Sequence, residues 1–345
     1  MRILVTSIGG NFSHDLIRAL RKDKKNIIIG CDLKKNKNFE FTNYFFQICN
    51  PKDEKKYISE LIKACKKFKI KIVIPCSENE CLVISKNSKK FRKLKIKTSV
   101  SNYKITRMIN DKHKVFEYLN FNNIDVGKWI QIKNLNDLKK GLKILNYPKV
   151  KVILKPKQGS GSRGILIFNK VVKKFKYLHE DSERFCGEGT YHAIIKEMKK
   201  KKKNLSNTIL MPYYDNYTFD VDCLASQGNL KCCIPRMRLY ENPLSPINQG
   251  CVITANKKII NYCRKIVKVL NLNGACDFDV VIRNDKKPQL LDASCRLSGS
   301  STASLAIGIN IPLNLIYMLQ KKKIKLKKII RPVTVFPQSR FEKVF

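Results

Sequence analysis

Residues 151–168 read KVILKPKQGSGSRGILIF: two apolar strands joined by a loop that packs three glycines, two serines and an arginine into six positions. No other stretch constrains the fold as much. Glycines let a backbone approach a ligand closely, and successive N–H groups in such a loop can turn toward an anion. The flanking strands matter equally, because the phosphate loop G-x-x-x-x-G-K-[ST] opens a helix rather than a hairpin. This arrangement suits a hairpin folded over a triphosphate. Gly159, Ser160, Gly161, Ser162 and Gly164 would form the cradle, and Lys155 would place a positive charge at the end of the first strand. An ordinary exposed turn does not need that composition.

Upstream, apolar strands at 2–8, 26–31 and 70–75 alternate with helical patterns at 13–22, 53–67 and 77–92. This alternation predicts an α/β fold with a parallel, doubly wound sheet over about the first 100 residues. Ser13 reads as the N-cap of the first helix. A helix from 111 then leads into a region richer in paired strands. The expected division is a Rossmann-like domain over 1–108, a second domain over 109–325 with the glycine hairpin in a lid at about 125–205, and a tail over 326–345. Gly9 and Gly10, between a strand and a helix with Asp32 closing the next strand, imitate a dinucleotide site. The G-x-G-x-x-G spacing is absent, so a structural turn is the better reading.

Composition excludes several functions. The net charge is +43, but Lys outnumbers Arg about four to one and is spread along the whole chain. Base-reading surfaces lean on Arg, and no aromatic residues interleave with the Lys runs, so no specific nucleic-acid partner is expected. The Lys, Asn and Ile bias instead resembles the imprint of an A+T-rich genome. No apolar run approaches the ~20 residues that span a bilayer, and the start of the chain reads as a strand rather than a signal peptide. Thirteen scattered Cys without a CxxC pair read as reduced core thiols, which predicts a cytoplasmic protein. Cys232 and Cys233 are adjacent and should point to opposite faces of a strand.

Residues 274–294, GACDFDVVIRNDKKPQLLDAS, contain a hairpin whose register can be derived. With a loop of two or four residues, pairing Arg283 with Pro288 sets Asp279 opposite Asp292. Asp277 shares the face of Asp279, and Ser294 that of Asp292. Three carboxylates and a hydroxyl on one face suit Mg²⁺ bridging phosphates, with Mn²⁺ as an alternative.

In chain order, Lys112, KPKQGSGSRG, LMPYY, IPRMR and LLDASCRLSGS resemble the ATP-grasp superfamily, most of all its carbamoyl-phosphate-synthase-like branch of amino-acid and peptide ligases. The resemblance covers about residues 1–320. It implies a pre-ATP-grasp domain followed by two α+β subdomains clasping ATP. It also implies an ADP-producing ligase that activates a small carboxylate as an acyl phosphate and passes it to an amine acceptor. Lys112 and Lys155 would contact the nucleotide phosphates, and Met211, Tyr213 and Tyr214 would hold adenine. Asp279, Asp292 and Ser294 would bind the metal, and Arg236, Arg238 and Arg296 would face the reacting groups. A homodimer is one assembly open to such a chain.

The chain departs from the family pattern at two places. Asp292-Ala293-Ser294 stands where a Glu-x-Asn pair of metal ligands is common. Pro212 and Thr218 replace two hinge glutamates, leaving Asp220 or Asp222, with Asp222 nominated, to take the ribose. A non-catalytic ATP-binding protein is the competing reading.

Overall fold

Strand and helix alternate as the sequence predicts, and the first hundred residues close one parallel sheet. The computed structural model describes residues 1–10, 13–159, 163–178, 185–239 and 250–338. The first unit runs β1 (Arg2–Thr6), α1 (Ser13–Arg21), β2 (Ile27–Asp32), β3 (Tyr44–Gln47), α2 (Glu54–Lys67), β4 (Ile72–Ile74), α3 (Glu78–Lys86), α4 (Ser88–Lys93) and β5 (Lys97–Thr98). Its sheet has the order β3-β2-β1-β4-β5 with every pair parallel. Both faces are covered, which explains the nearly unbroken apolar strands. Ile3, Val5 and Ile74 pack toward α1, while Leu4, Ile29 and Val73 pack toward α2 and α3.

Two boundaries differ from expectation. The single helix expected over 77–92 is broken at Asn87, whose side-chain amide donates to Val83 O and Glu54 Oε1, each at 3.0 Å, and competes with the helical ladder. Ser13 is the first residue of α1 rather than its cap, and the cap position falls outside the described residues.

Helices α5 (Tyr103–Ile109) and α6 (Lys112–Phe121) lead to a second sheet built from β6 (Ile130–Ile132), β7 (Val152–Pro156), β8 (Leu166–Phe168), β9 (Lys176–Tyr177), β10 (Gly187–Gly189) and β11 (Thr208–Pro212). Its order is β6-β11-β7-β8-β10-β9. Helices α7 (Leu135–Ile144) and α8 (Tyr191–Lys200) cover one side. The glycine loop connects β7 to β8.

The third sheet has the order β16-β15-β12-β13-β14-β17 and is antiparallel throughout. Its strands are β12 (Thr218–Ser226), β13 (Asn229–Arg238), β14 (Cys251–Ile253), β15 (Gly274–Ile282), β16 (Pro288–Ser294) and β17 (Val333–Val335), with α9 (Lys257–Val269) and α10 (Ile311–Leu319) between them. β17 comes from the segment expected to be a separate tail, and it closes an edge of the sheet against β14. One face carries Phe219, Val221, Phe278 and Val280 under α9. The other carries Leu224, Ile234 and Ala275 toward α10 and the first unit, then becomes polar. Cys232 and Cys233 do fall on opposite faces, in different cores. Among the described residues no single helix is long and apolar enough to cross a membrane.

Candidate active site

The β15–β16 hairpin turns through three residues. Arg283 N–H donates to Lys287 O at 2.9 Å, and Lys286 takes the left-handed conformation at φ 63°. The loop is therefore neither of the expected lengths, and Pro288 pairs with Ile282 rather than Arg283. A bulge between Asp279 and Val280 then absorbs Leu291 and restores the count. Asp279 faces Asp292 and Asp277 faces Ser294, as derived, although two departures cancel to give that result. β12 extends both rows, with Asp220 opposite Asp279 and Asp222 opposite Asp277.

So many acids on one face repel unless cations intervene. Arg238 donates to Asp220 at 2.5 Å and to Asp279 at 3.3 Å. Burial works against the charge on Asp220, but Arg238 outweighs it and holds that carboxyl below the ordinary range. Burial, with Asp220 and Asp292 adding repulsion against the pull of Arg238, pushes Asp279 up to about 7. Burial also raises Asp277 well above the usual range, with Asp222 and Asp279 adding to it.

Arg236 is fully buried, and all its guanidinium nitrogens are engaged within the protein. It donates to Asp222 at 2.7 Å, Ser300 Oγ at 2.8 Å and Ser298 Oγ at 3.0 Å. Ser298 Oγ donates in turn to the other Asp222 oxygen at 2.7 Å. Asp222, expected at the ribose, thus has both oxygens hydrogen-bonded beneath the loop after β16, and Arg236, expected to face the reacting groups, ties β13 to that loop. Arg296, in the same loop, bridges two units: it lies 3.5 Å from Glu78 at the start of α3 and 4.0 Å from Asp277.

Two lysines converge on the edge of the acidic face from elsewhere. Lys112 opens α6, whose N-cap is Asp111. Its ammonium donates to Gly159 O at 3.0 Å and lies 3.0 Å from Asp292 Oδ1, while its backbone N–H donates to Lys157 O at 2.8 Å. One residue thus ties the root of the glycine loop to the acid ladder. Lys155 on β7 donates to Leu291 O at 2.9 Å, beside the bulge. Its burial lowers the ammonium to about 8 despite the attraction of Asp292. Gly159 needs its glycine, at φ 110°, and so does Gly164 at φ 73°. Ser160, Gly161 and Ser162 lie outside the described residues.

The segment expected to hold adenine runs along β11 and just past its end. β11 pairs with β7 through Met211 opposite Ile153, and Tyr213 N–H donates to Lys151 O at 2.9 Å. Met211 is fully buried, and Tyr213 packs against the same core. Burial raises the Tyr214 hydroxyl above its ordinary value. β12 begins at Thr218 just beyond the hinge, and in that first row Thr218 lies beside Val281 and Val281 beside Gln289. The Thr218 hydroxyl and the Gln289 amide are buried without a partner in the protein. Both side chains are enclosed, and the Gln289 amide packs against Gly127.

Asp277 Oδ1 and Ser294 Oγ, paired across the strands, are also buried without a protein partner. Together with Asp279 and Asp292 they form an all-oxygen donor set, which fits a hard divalent cation. A further cleft of about 310 Å³ lies where the first unit meets the loop after β16, lined by Ser7, Ser13, Glu78, Arg296, Ser298 and Thr302. Sequence reasoning missed Glu78. It stands beyond the carboxyl end of β4, where doubly wound sheets place their ligands, and that position was the available signal.

Two family models and several solved structures are similar to this chain. Residues 204–341 match the family model described as ATP-grasp in the biosynthetic pathway with Ter operon, and residues 3–99 match the one described as PylC-like, N-terminal domain. Residues 204–341 are thus similar to an ATP-grasp domain, and residues 3–99 to a PylC-like N-terminal domain. The L-amino acid ligase from Bacillus licheniformis is similar in structure, with a TM-score of 0.70 and 14% identity over 98% of this chain and 81% of that one. N5-carboxyaminoimidazole synthetase from Staphylococcus aureus, complexed with ADP, gives a TM-score of 0.70 and 13% identity over 96% of this chain and 81% of that one. Biotin carboxylase from Campylobacter jejuni gives 0.65 and 15% identity, over 94% and 72%. No curated protein matches the chain by sequence.

Proposed function

We propose that this protein is an ATP-dependent ligase that phosphorylates a small carboxylate and transfers the acyl group to an amine. The observation that carries the reading is the meeting of Lys112, Lys155 and the root of the glycine loop with the opposed pair Asp279 and Asp292. That juxtaposition matches the needs of a triphosphate and its counter-ion. ATP would lie between the second and third sheets, its adenine on the backbone of Met211 to Tyr214 and its ribose toward the start of β12. Lys112 and Lys155 would hold the phosphates. Asp279, Asp292 and Ser294 would hold Mg²⁺, which supplies charge neutralisation for the transferring phosphoryl.

The carboxylate belongs in the cleft beside Arg296. Glu78, 3.5 Å from that guanidinium, gives the cleft both signs of charge, which suits an amino acid. A carboxylate oxygen attacks the γ-phosphorus and ADP leaves. The amine nitrogen then attacks the acyl carbon and inorganic phosphate leaves. Positioning and preorganised charge do most of the work, since no side chain has to act as a nucleophile. Thiols that are all free fit a reducing cytoplasm.

The test is a product analysis across amino acids and small carboxylates. The expected products are ADP and phosphate, with a hydroxamate trapped by added hydroxylamine. AMP and pyrophosphate would replace the acyl phosphate with an adenylate. Nucleotide binding with no carboxylate-dependent turnover would favour the non-catalytic reading.

A further inference from the structure

The opposite face of the third sheet holds a group of side chains that the ATP chemistry does not use. Cys223, in the middle of β12, has Cys233 directly across on β13 and Cys276 directly across on β15. Directly opposed residues share a face, so the three thiols form one row in the core. α9 crosses that row and brings in Cys263. The sulfurs of Cys223, Cys233 and Cys263 all lie within 4.8 Å of one another, with Cys223 and Cys233 at 3.7 Å. None of the chain's cysteines is in a disulfide.

Buried cysteines often serve as small apolar side chains, so burial alone assigns nothing. The spacing is more specific. A tetrahedral cation with metal–sulfur bonds of ~2.3 Å separates its sulfurs by ~3.8 Å. One edge of the group already has that length, and the others need only a small closure. The three ligands come from three different elements, which is how a folded chain surrounds an ion. The donors are all sulfur and their neighbours are apolar, among them Phe219, Ile259 and Val267. Such a set favours soft, thiophilic ions and disfavours magnesium or calcium. Cys223 and Cys263 are buried, and Cys233 is partly buried.

We propose that Cys223, Cys233 and Cys263 form a binding site for one thiophilic cation, zinc(II) or copper(I). On loading, each ligating thiol releases its proton to solvent. Three thiolates leave a net charge of −1 with zinc(II) and −2 with copper(I). The smaller buried charge favours zinc. A bound ion would fasten α9 to β12 and β13 directly behind Asp220 and Asp222, and so hold the register of the acidic face.

The test uses the full chain, purified with reductant and stripped with a chelator. Titration with zinc chloride should load one equivalent that survives desalting and shields three thiols from alkylation. Cobalt(II) in its place should give intense sulfur-to-metal charge-transfer absorption. Cys233→Ser, at the least buried of the three, should keep the fold by circular dichroism and weaken zinc at least ~10-fold. Cys65→Ser, in the first unit, should leave zinc affinity unchanged. Copper(I) uptake without zinc uptake would support the site and assign the ion to copper. The proposal is overturned if neither ion binds stoichiometrically, or if Cys233→Ser binds as the unaltered chain does, and the thiols are then packing alone.

Discussion

Two glycine turns in this molecule follow apolar strands, and they have opposite fates. In the first, Asp32 Oδ2 accepts the Gly9 N–H at 2.6 Å and Asp32 Oδ1 accepts the Leu33 N–H at 2.6 Å. A Cβ on Gly9 would stand 2.9 Å from that carboxylate. The turn is closed by the chain's own acid, so an anion meets a negative charge where it would need donors. In the second, a Cβ on Gly159 would meet nothing within 4 Å, and the groups at the loop's root are Lys112 and Lys155. Glycine permits both conformations equally. The neighbouring charge decides which turn can receive a phosphate.

The largest effect that tests this contrast lies beside the second turn. Asp292→Asn removes one of two facing carboxylates and the partner of Lys112, so kcat should fall at least ~100-fold. The fold should persist, because the substitution also relieves repulsion with Asp279. Asp32→Asn, beside the first turn, should leave kcat unaltered. Steady-state ADP release measures both. An Asp292→Asn protein with full turnover would remove the acid ladder from the mechanism.

A smaller effect separates the turns by binding rather than rate. Lys155→Met keeps the apolar stem and removes a charge-assisted phosphate contact, so calorimetry should show ATP weakened by about 1.5–3 kcal/mol. Asp32→Asn should bind ATP normally and lose about 1 kcal/mol of folding stability, from the weakened hold on Gly9 and Leu33. Weakened ATP binding in Asp32→Asn would return the first turn to the list of nucleotide sites.

Much of this was legible beforehand because it depended on local pattern. The strand–helix alternation of 2–92 gave the parallel sheet, and the composition of 159–164 set that loop apart. Pairing along 274–294 brought Asp279 to Asp292, although a bulge invisible in the sequence was needed to offset the wrong loop length. What stayed hidden was long-range. No spacing rule connects Arg236 to Ser298 and Ser300, sixty-odd residues away, so its role as an anchor emerged only from the packed loop. The contacts of Asp222 with Arg236 and Ser298 were hidden for the same reason. Cys223, Cys233 and Cys263 looked scattered because a strand, its neighbour and a helix assemble them. β17 was unreadable as a strand, since its short, basic surroundings carry no period and only pairing with β14 defines it.

The smallest effect expected is a proton, and it belongs to the second turn alone. Burial lowers Lys155 from an ordinary 10.5 to about 8 in the free protein. Between about pH 8 and 10.5 the unfolded chain therefore binds more protons at this site than the folded one. The folded state gains stability from Lys155 as pH rises through that window, and below it the site carries the full cost of a buried charge. ATP reverses the preference, because its phosphates favour the ammonium. At pH 9 nucleotide binding should therefore take up as much as about one proton, and at pH 6.5 Lys155 should take up none. Calorimetry in two buffers of different ionisation enthalpy reads that uptake directly. It should vanish in Lys155→Met and survive in Asp32→Asn. Equal uptake at pH 9 in the unaltered chain and in Lys155→Met would mean that the triphosphate does not sit against Lys155, and the contrast between the two turns would lose its electrostatic basis.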